Sequence, residues 1–133
     1  MVTSLSHAPT VLVVEDYPPG MFVITMMLEC LGYAVVGVAT GQDAIEQVRI
    51  AKTPFIAILM DVNLADMDGF EVTKAIRHLE EASKTMNTII AVTAHVLAGD
   101  RIRCLEAGMN DYISKPIQPD ILKQKLSLLT KRT

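Results

Sequence analysis

Phe55-Ile56-Ala57-Ile58-Leu59-Met60-Asp61-Val62-Asn63-Leu64-Ala65-Asp66-Met67-Asp68-Gly69 decides the fold. Six apolar residues in succession suit a strand buried on both faces, as in the parallel sheets of α/β proteins. The run ends on a carboxylate, Asp61. The C-terminal rim of such a sheet is where open α/β proteins bind ligands. Taken alone, a strand-end Asp is a common turn residue. Three other strand ends give it more weight.

Outward from this stretch the chain alternates. Val11–Val14 is an apolar run ended by Glu15-Asp16, and Tyr17-Pro18-Pro19-Gly20 reads as a loop whose prolines can serve a helix's first turn. Met21 to Leu31 has helical character, with Gly32 as the left-handed residue after it. Val35–Val38 is a second strand, and 41–52 an amphipathic helix carrying Ala44, Ile45 and Val48 on one face. After Asp68-Gly69 a helix runs over about 70–81, with Phe70, Ala75, Ile76 and Leu79 as core contacts. Ile89–Val92 is a strand ending at Thr93. A helix over 98–107 closes on Gly108, Tyr112-Ile113 is a short strand ended by Ser114-Lys115-Pro116, and the last helix spans about 120–131, with Ile121, Leu122, Leu126 and Leu129 facing the core. Five strand–helix units with short connections imply α/β architecture: a doubly wound parallel sheet with right-handed crossovers. Five units in about 125 residues suit a flavodoxin-like (βα)5 fold with strand order 2-1-3-4-5.

In that order strands one, three and four are central neighbours and strand five borders four. Glu15, Asp16, Asp61, Thr93 and Lys115 therefore converge on one rim. Three carboxylates within ~5 Å repel by about 3 kcal/mol per pair at an effective dielectric of 20. Either one stays protonated or a cation lies among them. Hard oxygen donors with no placed His or Cys favour Mg²⁺ or Mn²⁺. With the Lys115 ammonium and the Thr93 hydroxyl added, the rim suits a phosphoryl group, and Asp61 is its natural in-line nucleophile.

At 133 residues, half of them hydrophobic and 20% charged, the chain reads as one globular domain (10–133) behind a short polar tail (1–9). Its net charge of −3 argues against direct nucleic-acid binding. No apolar stretch reaches the roughly 18–20 residues that span a bilayer. No leader pattern is visible at the start. Cys30 and Cys104 make no metal-spacing motif, and a reduced, cytoplasmic setting without membrane contact is expected.

Glu15-Asp16, Asp61 with Asp68-Gly69, Thr93-Ala94 and Tyr112-Ile113-Ser114-Lys115-Pro116, in order and each at a strand end, resemble the receiver domain of two-component response regulators over residues 10–131. The stretch CLEAGMNDYISKP looks most like receivers attached to hybrid histidine kinases. The resemblance implies that Asp61 accepts a phosphoryl group from a phosphohistidine. It implies that Asp16, Asp61 and the backbone carbonyl of Asn63 bind Mg²⁺, with Glu15 acting through water. Thr93 and Lys115 would grip the phosphoryl oxygens, Tyr112 would be the switch aromatic, and Lys115-Pro116 would be a cis peptide. Leu64-Ala65 stands where the family commonly has Met-Pro, which leaves that loop less rigid. Asn63 and His95 stand where receivers tune phosphoryl lifetime.

The first helix carries a separate expectation. Val23, Ile24, Met27, Leu28 and Leu31 suffice for a core stripe, which leaves Met21, Phe22, Met26 and Cys30 surplus. Phe22 and Met26, stacked at i, i+4, read as a docking patch for a helical partner that carries the phosphohistidine: a histidine-phosphotransfer domain or a kinase dimerisation domain. Homodimerisation stays open. The rival enzyme reading is a haloacid-dehalogenase-like phosphatase, which needs an Asp where Asn63 stands. A flavodoxin-like FMN carrier would have its phosphate repelled by Glu15-Asp16. A third reading is an unphosphorylated docking scaffold. The length of the chain leaves no room for an output domain, so output is expected through a changed surface on the fourth helix, fifth strand and fifth helix, or through onward transfer.

Overall fold

The structure is a computed structural model that describes residues 8–94 and 98–130. Strands β1 (Thr10–Val14), β2 (Ala34–Val38), β3 (Ala57–Asp61), β4 (Ile89–Thr93) and β5 (Asp111–Ser114) alternate with helices α1 (Pro18–Cys30), α2 (Gly41–Ile50), α3 (Gly69–Ser83), α4 (Ala98–Ala107) and α5 (Pro119–Thr130). All strand pairings are parallel, in the order β2-β1-β3-β4-β5. This is the architecture expected from the alternation of apolar runs and amphipathic segments.

The sheet is apolar on both faces because side chains alternate along each strand. Leu12, Val14, Ile58, Met60, Ile89 and Ala91 pack with Ala44 of α2, Val72 and Ile76 of α3 and Cys104 of α4. Val11, Val13, Ala57, Leu59, Ile90 and Val92 pack with Ile24 and Leu28 of α1 and Leu122 and Leu126 of α5. Two helices thus cover one face and three the other, and the rim between them stays open.

Boundaries shift where local chemistry overrides periodicity. Helix α1 begins at Pro18, not Met21, because the two prolines occupy its first turn, where no amide donor is needed. Strand β3 starts two residues later than the apolar run and includes Asp61; the Phe55 amide instead donates to Asn87 Oδ1 at 2.8 Å. Helix α3 runs on to Ser83 and is closed by Lys84 in the left-handed region. Two face assignments also change. Val23, expected in the core, is 48% exposed, while Met21 is half-buried, its Sδ 2.9 Å from where a side chain on Gly37 would begin. Ile121 is exposed, and Leu122 and Leu126 carry the inner face of α5.

At the end of the sheet away from the acidic rim, a polar network ties the elements together. Arg77 donates to Gly108 O (2.9 Å), Asn87 O (2.8 Å), Glu80 Oε1 (2.6 Å) and Asn110 Oδ1 (2.7 Å). Buried Glu80 in turn accepts from the Asn87 amide at 2.7 Å and its side chain at 2.8 Å. Every charge in this buried cluster is paired and hydrogen-bonded, the condition under which burial is tolerated.

Candidate functional site

Strand register builds the site. Val14 lies opposite Met60, Asp61 opposite Val92, and Thr93 opposite Ser114. The residues at or just beyond these positions, Glu15-Asp16, Asp61, Thr93 and Lys115, therefore emerge side by side. One ligand oxygen each from Glu15, Asp16 and Asp61 lies within 4.8 Å of the others. Lys115 Nζ stands 3.2 Å from Asp61 Oδ2 and 3.3 Å from Glu15 Oε1. Glu15, Asp16, Asp61 and Lys115 thus meet at one place.

Burial sharpens the electrostatics. Glu15 and Asp61 are buried. Desolvation pushes the Glu15 carboxyl above its ordinary value, and the neighbouring Asp61 adds to that; the Tyr17 amide, donating to Glu15 Oε2 at 3.1 Å, and Lys115 work against it without winning. Partial burial disfavours the charged Lys115, but Asp61 and Glu15 outweigh it and hold the ammonium above its usual range. Three hard carboxylates, one of them reluctant to ionise, fit a small divalent cation with an oxygen shell.

The loop that follows Asp61 is tied at several points. Asp61 Oδ1 accepts from the Asn63 amide at 2.9 Å, and Asp16 Oδ2 accepts from the Ala65 amide at 2.9 Å. Asn63 and Asp68 form an isolated antiparallel bridge. The Gly69 amide donates to Val62 O at 3.0 Å, and a Cβ on Gly69 would fall 2.7 Å from Asp61 O. Only glycine lets α3 start this close to the end of β3. Asp68 caps that helix, accepting from the Glu71 amide at 2.8 Å.

Thr93 is buried at the end of β4 and lines, with Asn63, Asp68, Phe70 and Arg103, a cleft of about 280 Å³ beside the acidic cluster. Tyr112 is half-buried. It lines a separate groove between β5 and α5 and lies under two cations, with Arg101 Cζ 5.6 Å and Lys125 Nζ 5.8 Å from its ring centre. The Lys115-Pro116 peptide is cis, as the resemblance implied. Phe22 is 64% and Met26 49% exposed, so both lie on the outer side of α1. A groove of about 550 Å³ separates α1 from the Pro116-Ile117 segment and is lined also by Glu15 and Lys115. The chemical site and an apolar surface are thus contiguous. His95 lies outside the described residues, as does most of the 1–9 tail. Two features escaped the sequence reading: the carboxylate of Asp66, which reaches the start of α2, and the cation pair over Tyr112. Neither has a local signal, since the partners are 24 and 25 residues apart in the first case and on separate elements in the second.

Among the described residues no helix is long and apolar enough to cross a membrane. The family model of the response regulator receiver domain matches residues 11–127. The chain is 39% identical over 120 residues to the sensor protein GacS of Pseudomonas syringae pv. syringae, which covers 90% of this chain but only 13% of that protein. It is equally identical, over 119 residues, to the histidine-protein kinase BarA of Escherichia coli, covering 90% of this chain and 12% of that one. Among solved structures, the receiver domain of a sensor histidine kinase from Pseudomonas aeruginosa PAO1, described with a magnesium ion coordinated in its active-site cleft, superposes with a TM-score of 0.80 at 41% identity, covering 92% of this chain and 97% of that one. A chemotaxis protein of Vibrio cholerae superposes with a TM-score of 0.82 at 26% identity, covering 92% and 98%.

Proposed function

The chain belongs to the response regulator receiver domain family, and on that premise we propose that it is the phosphoacceptor module of a two-component phosphorelay, with Asp61 as the acceptor. An oxygen of Asp61 attacks the phosphorus of a phosphohistidine in line. The new O–P bond forms as the P–N bond breaks, and the imidazole nitrogen keeps the electron pair and takes up a proton. The observation that carries this reading is the Lys115 ammonium 3.2 Å from the Asp61 carboxylate, inside a cluster of three converging carboxylates.

Glu15 (through water), Asp16, Asp61 and the Asn63 carbonyl would hold Mg²⁺, or Mn²⁺ in its place. The cation supplies neutralisation of the charge on the transferred phosphoryl oxygens. Lys115 takes one of those oxygens, and the Thr93 hydroxyl donates to another. Movement of Thr93 toward the phosphoryl group opens room for Tyr112 to turn inward from the β5–α5 groove. Such a switch is a population shift; moving it from 1:99 to 99:1 takes about 5.5 kcal/mol of differential stabilisation.

The phosphodonor on this reading is a histidine kinase or a histidine-phosphotransfer domain. Its helix docks on Phe22 and Met26 of α1, with its histidine directed at the contiguous acidic rim. The domain, residues 10–133 behind a short tail, assists its own phosphorylation and dephosphorylation rather than turning over an external substrate. It works in the cytoplasm.

Intact-mass measurement after incubation with acetyl phosphate and Mg²⁺ tests the reading. One added phosphoryl group is expected, removed by hydroxylamine and absent in Asp61→Asn and without metal. An adduct that survives in Asp61→Asn would overturn it, and multiple turnover on a phosphate ester would favour a phosphatase.

A further inference from the structure

The loop 62–68 contains no proline, and Asn63, Ala65 and Asp66 on it are exposed, so neither backbone restriction nor burial of these residues holds its shape. Leu64 and Met67 pack on the core, and to the backbone ties already described a carboxylate adds one more. Asp66 Oδ1 accepts from the Gly41 amide at 2.9 Å, and Asp66 Oδ2 accepts from the Gln42 amide at 3.2 Å. These are first-turn amides of α2, which have no acceptor within their own helix. The neighbouring Asp43 amide is satisfied locally by Thr40 Oγ1 at 3.0 Å. The N-terminus of α2 is therefore completed by two side chains, one of its own and one from the loop behind the phosphoacceptor. A negative charge at a helix N-terminus is favoured, and charged acceptors make the stronger hydrogen bonds. The contact is close because position 41 has no side chain: a Cβ there would fall 2.5 Å from Val72 Cγ2 and 3.3 Å from Met67 Sδ.

We propose that Asp66 is a positioning residue for the acidic site, strapping the phosphoacceptor loop to the N-terminus of α2 so that the Asn63 carbonyl and the Ala65 amide are held in place. Ala65 is the next residue in the chain, and its amide is the donor that orients Asp16. The route from Asp66 to the cation site is thus one peptide unit and one hydrogen bond. Asp66 touches no reacting atom. It acts through the loop, much as an outer-shell partner orients a metal ligand, and the loss of such a partner costs on the order of tenfold in metal affinity. The inference rests on the reading of Asp61 as phosphoacceptor for its consequence in phosphorylation, and on the Glu15, Asp16 and Asp61 cluster for its consequence in cation binding.

The experiment compares Asp66→Ala, Asp66→Asn and Thr40→Ala with the wild type, using calorimetric titration with Mg²⁺ and the rate of labelling by acetyl phosphate. Thr40→Ala removes the other cap of the same helix and leaves the loop untouched. Asp66→Ala is expected to weaken Mg²⁺ binding about tenfold and slow labelling to match. Asp66→Asn, which keeps an acceptor oxygen, should recover part of both, and Thr40→Ala should change neither. Equal Mg²⁺ affinity in Asp66→Ala and the wild type, or an equal loss in Thr40→Ala, reduces Asp66 to a helix cap and overturns the proposal. A wild type that binds Mg²⁺ but takes up no phosphoryl group overturns the phosphoacceptor reading instead, and the Mg²⁺ titration still decides the role of Asp66.

Discussion

Lys115 Nζ lies 3.2 Å from Asp61 Oδ2, the cation of one strand end held against the carboxylate of another. Lys115 is fixed there from two sides, since its own amide donates to Thr93 O at 2.8 Å and its ammonium also meets Glu15. In phosphoryl transfer this ammonium would leave the carboxylate for the incoming phosphoryl oxygens. Lys115→Ala should therefore retain Mg²⁺ binding but slow labelling by acetyl phosphate on the order of 100-fold, the scale of losing one preorganised electrostatic partner. Initial rates read by intact mass check this. A rate within threefold of wild type would remove Lys115 from the chemistry.

Metal removal gives a second expectation. A cation that binds the folded cluster and not the unfolded chain stabilises by about 2.7 kcal/mol at 100 times its dissociation constant. For a domain of this size that is a rise in Tm on the order of 10 °C. Asp16→Ala should abolish most of the rise while leaving the Tm in chelator near or above that of the wild type, because one of three mutually repelling carboxylates is gone. Thermal unfolding with Mg²⁺ and with EDTA checks both halves.

The pH dependence follows from Glu15. Burial raises its carboxyl above the ordinary 4.5, so the protonated form is favoured by folding. That contribution is complete below the unfolded value and is lost as pH rises through the higher folded one. At neutral pH without metal, ionised Glu15 therefore weakens the fold. Glu15→Gln should be more stable than the wild type in EDTA at pH 7, and the gap should close below about pH 4.5. Urea midpoints across this range measure it. In Mg²⁺ the advantage should shrink or reverse, because the variant loses a carboxylate from the cation's surroundings.

Much of this was legible in the sequence, for a physical reason. Strands buried on both faces must be continuous apolar runs, so β1, β3 and β4 stand out. Their ends are where a sheet can carry polar chemistry, so Glu15, Asp16, Asp61 and Thr93 follow, and Lys115 stands at the end of the shorter, less buried β5. Val23 was misread because a helix face assigned from spacing can rotate by one residue; Met21 in fact fills the place beside Gly37. Glu80 reads as an ordinary helix-surface acid; it is buried with Arg77, one turn earlier on the same helix, and Asn87, seven residues on, both bonded to it. Asp66 reads as a solvated loop residue, since the amides it meets precede it by 24 and 25 positions.

Tyr112 offers a conformational prediction. Arg101 and Lys125 both lie within 6 Å of its ring centre, and Lys125 is itself held by Asp111 at 2.8 Å. Exposed cation–π contacts contribute about 0.5–1 kcal/mol each. Both favour the ring in the β5–α5 groove over an inward position. Replacing Arg101 and Lys125 by Ala should shift Tyr112 inward by a factor of about 5–30, taking the two contacts as additive. The ring resonances of Tyr112 should move toward those of the beryllofluoride-bound wild type. Unchanged resonances in the double variant would show that these cations do not set the tyrosine's position.

The outer surface of α1 separates recognition from chemistry. Phe22, Val23 and Met26 are 64%, 48% and 49% exposed on a helix whose inner residues, Ile24 and Leu28, already fill the core. Of these three, Val23 lines the groove between α1 and Pro116-Ile117, together with Ile24 and Met27, and that groove reaches Glu15 and Lys115. A partner helix laid along it would bring a phosphohistidine to Asp61, while a small phosphodonor needs none of that surface. Phe22→Asp should therefore leave labelling by acetyl phosphate within about twofold. It should slow transfer from a phosphorylated histidine-phosphotransfer domain at least tenfold, the effect of removing an aromatic anchor worth more than ~1.4 kcal/mol. Met26→Asp should act in the same direction, and Glu29→Ala, on the same exposed side but contributing no apolar surface, should be near neutral. Equal losses with both donors would place Phe22 in the fold rather than in recognition, and full activity with both would move the docking surface elsewhere on the domain.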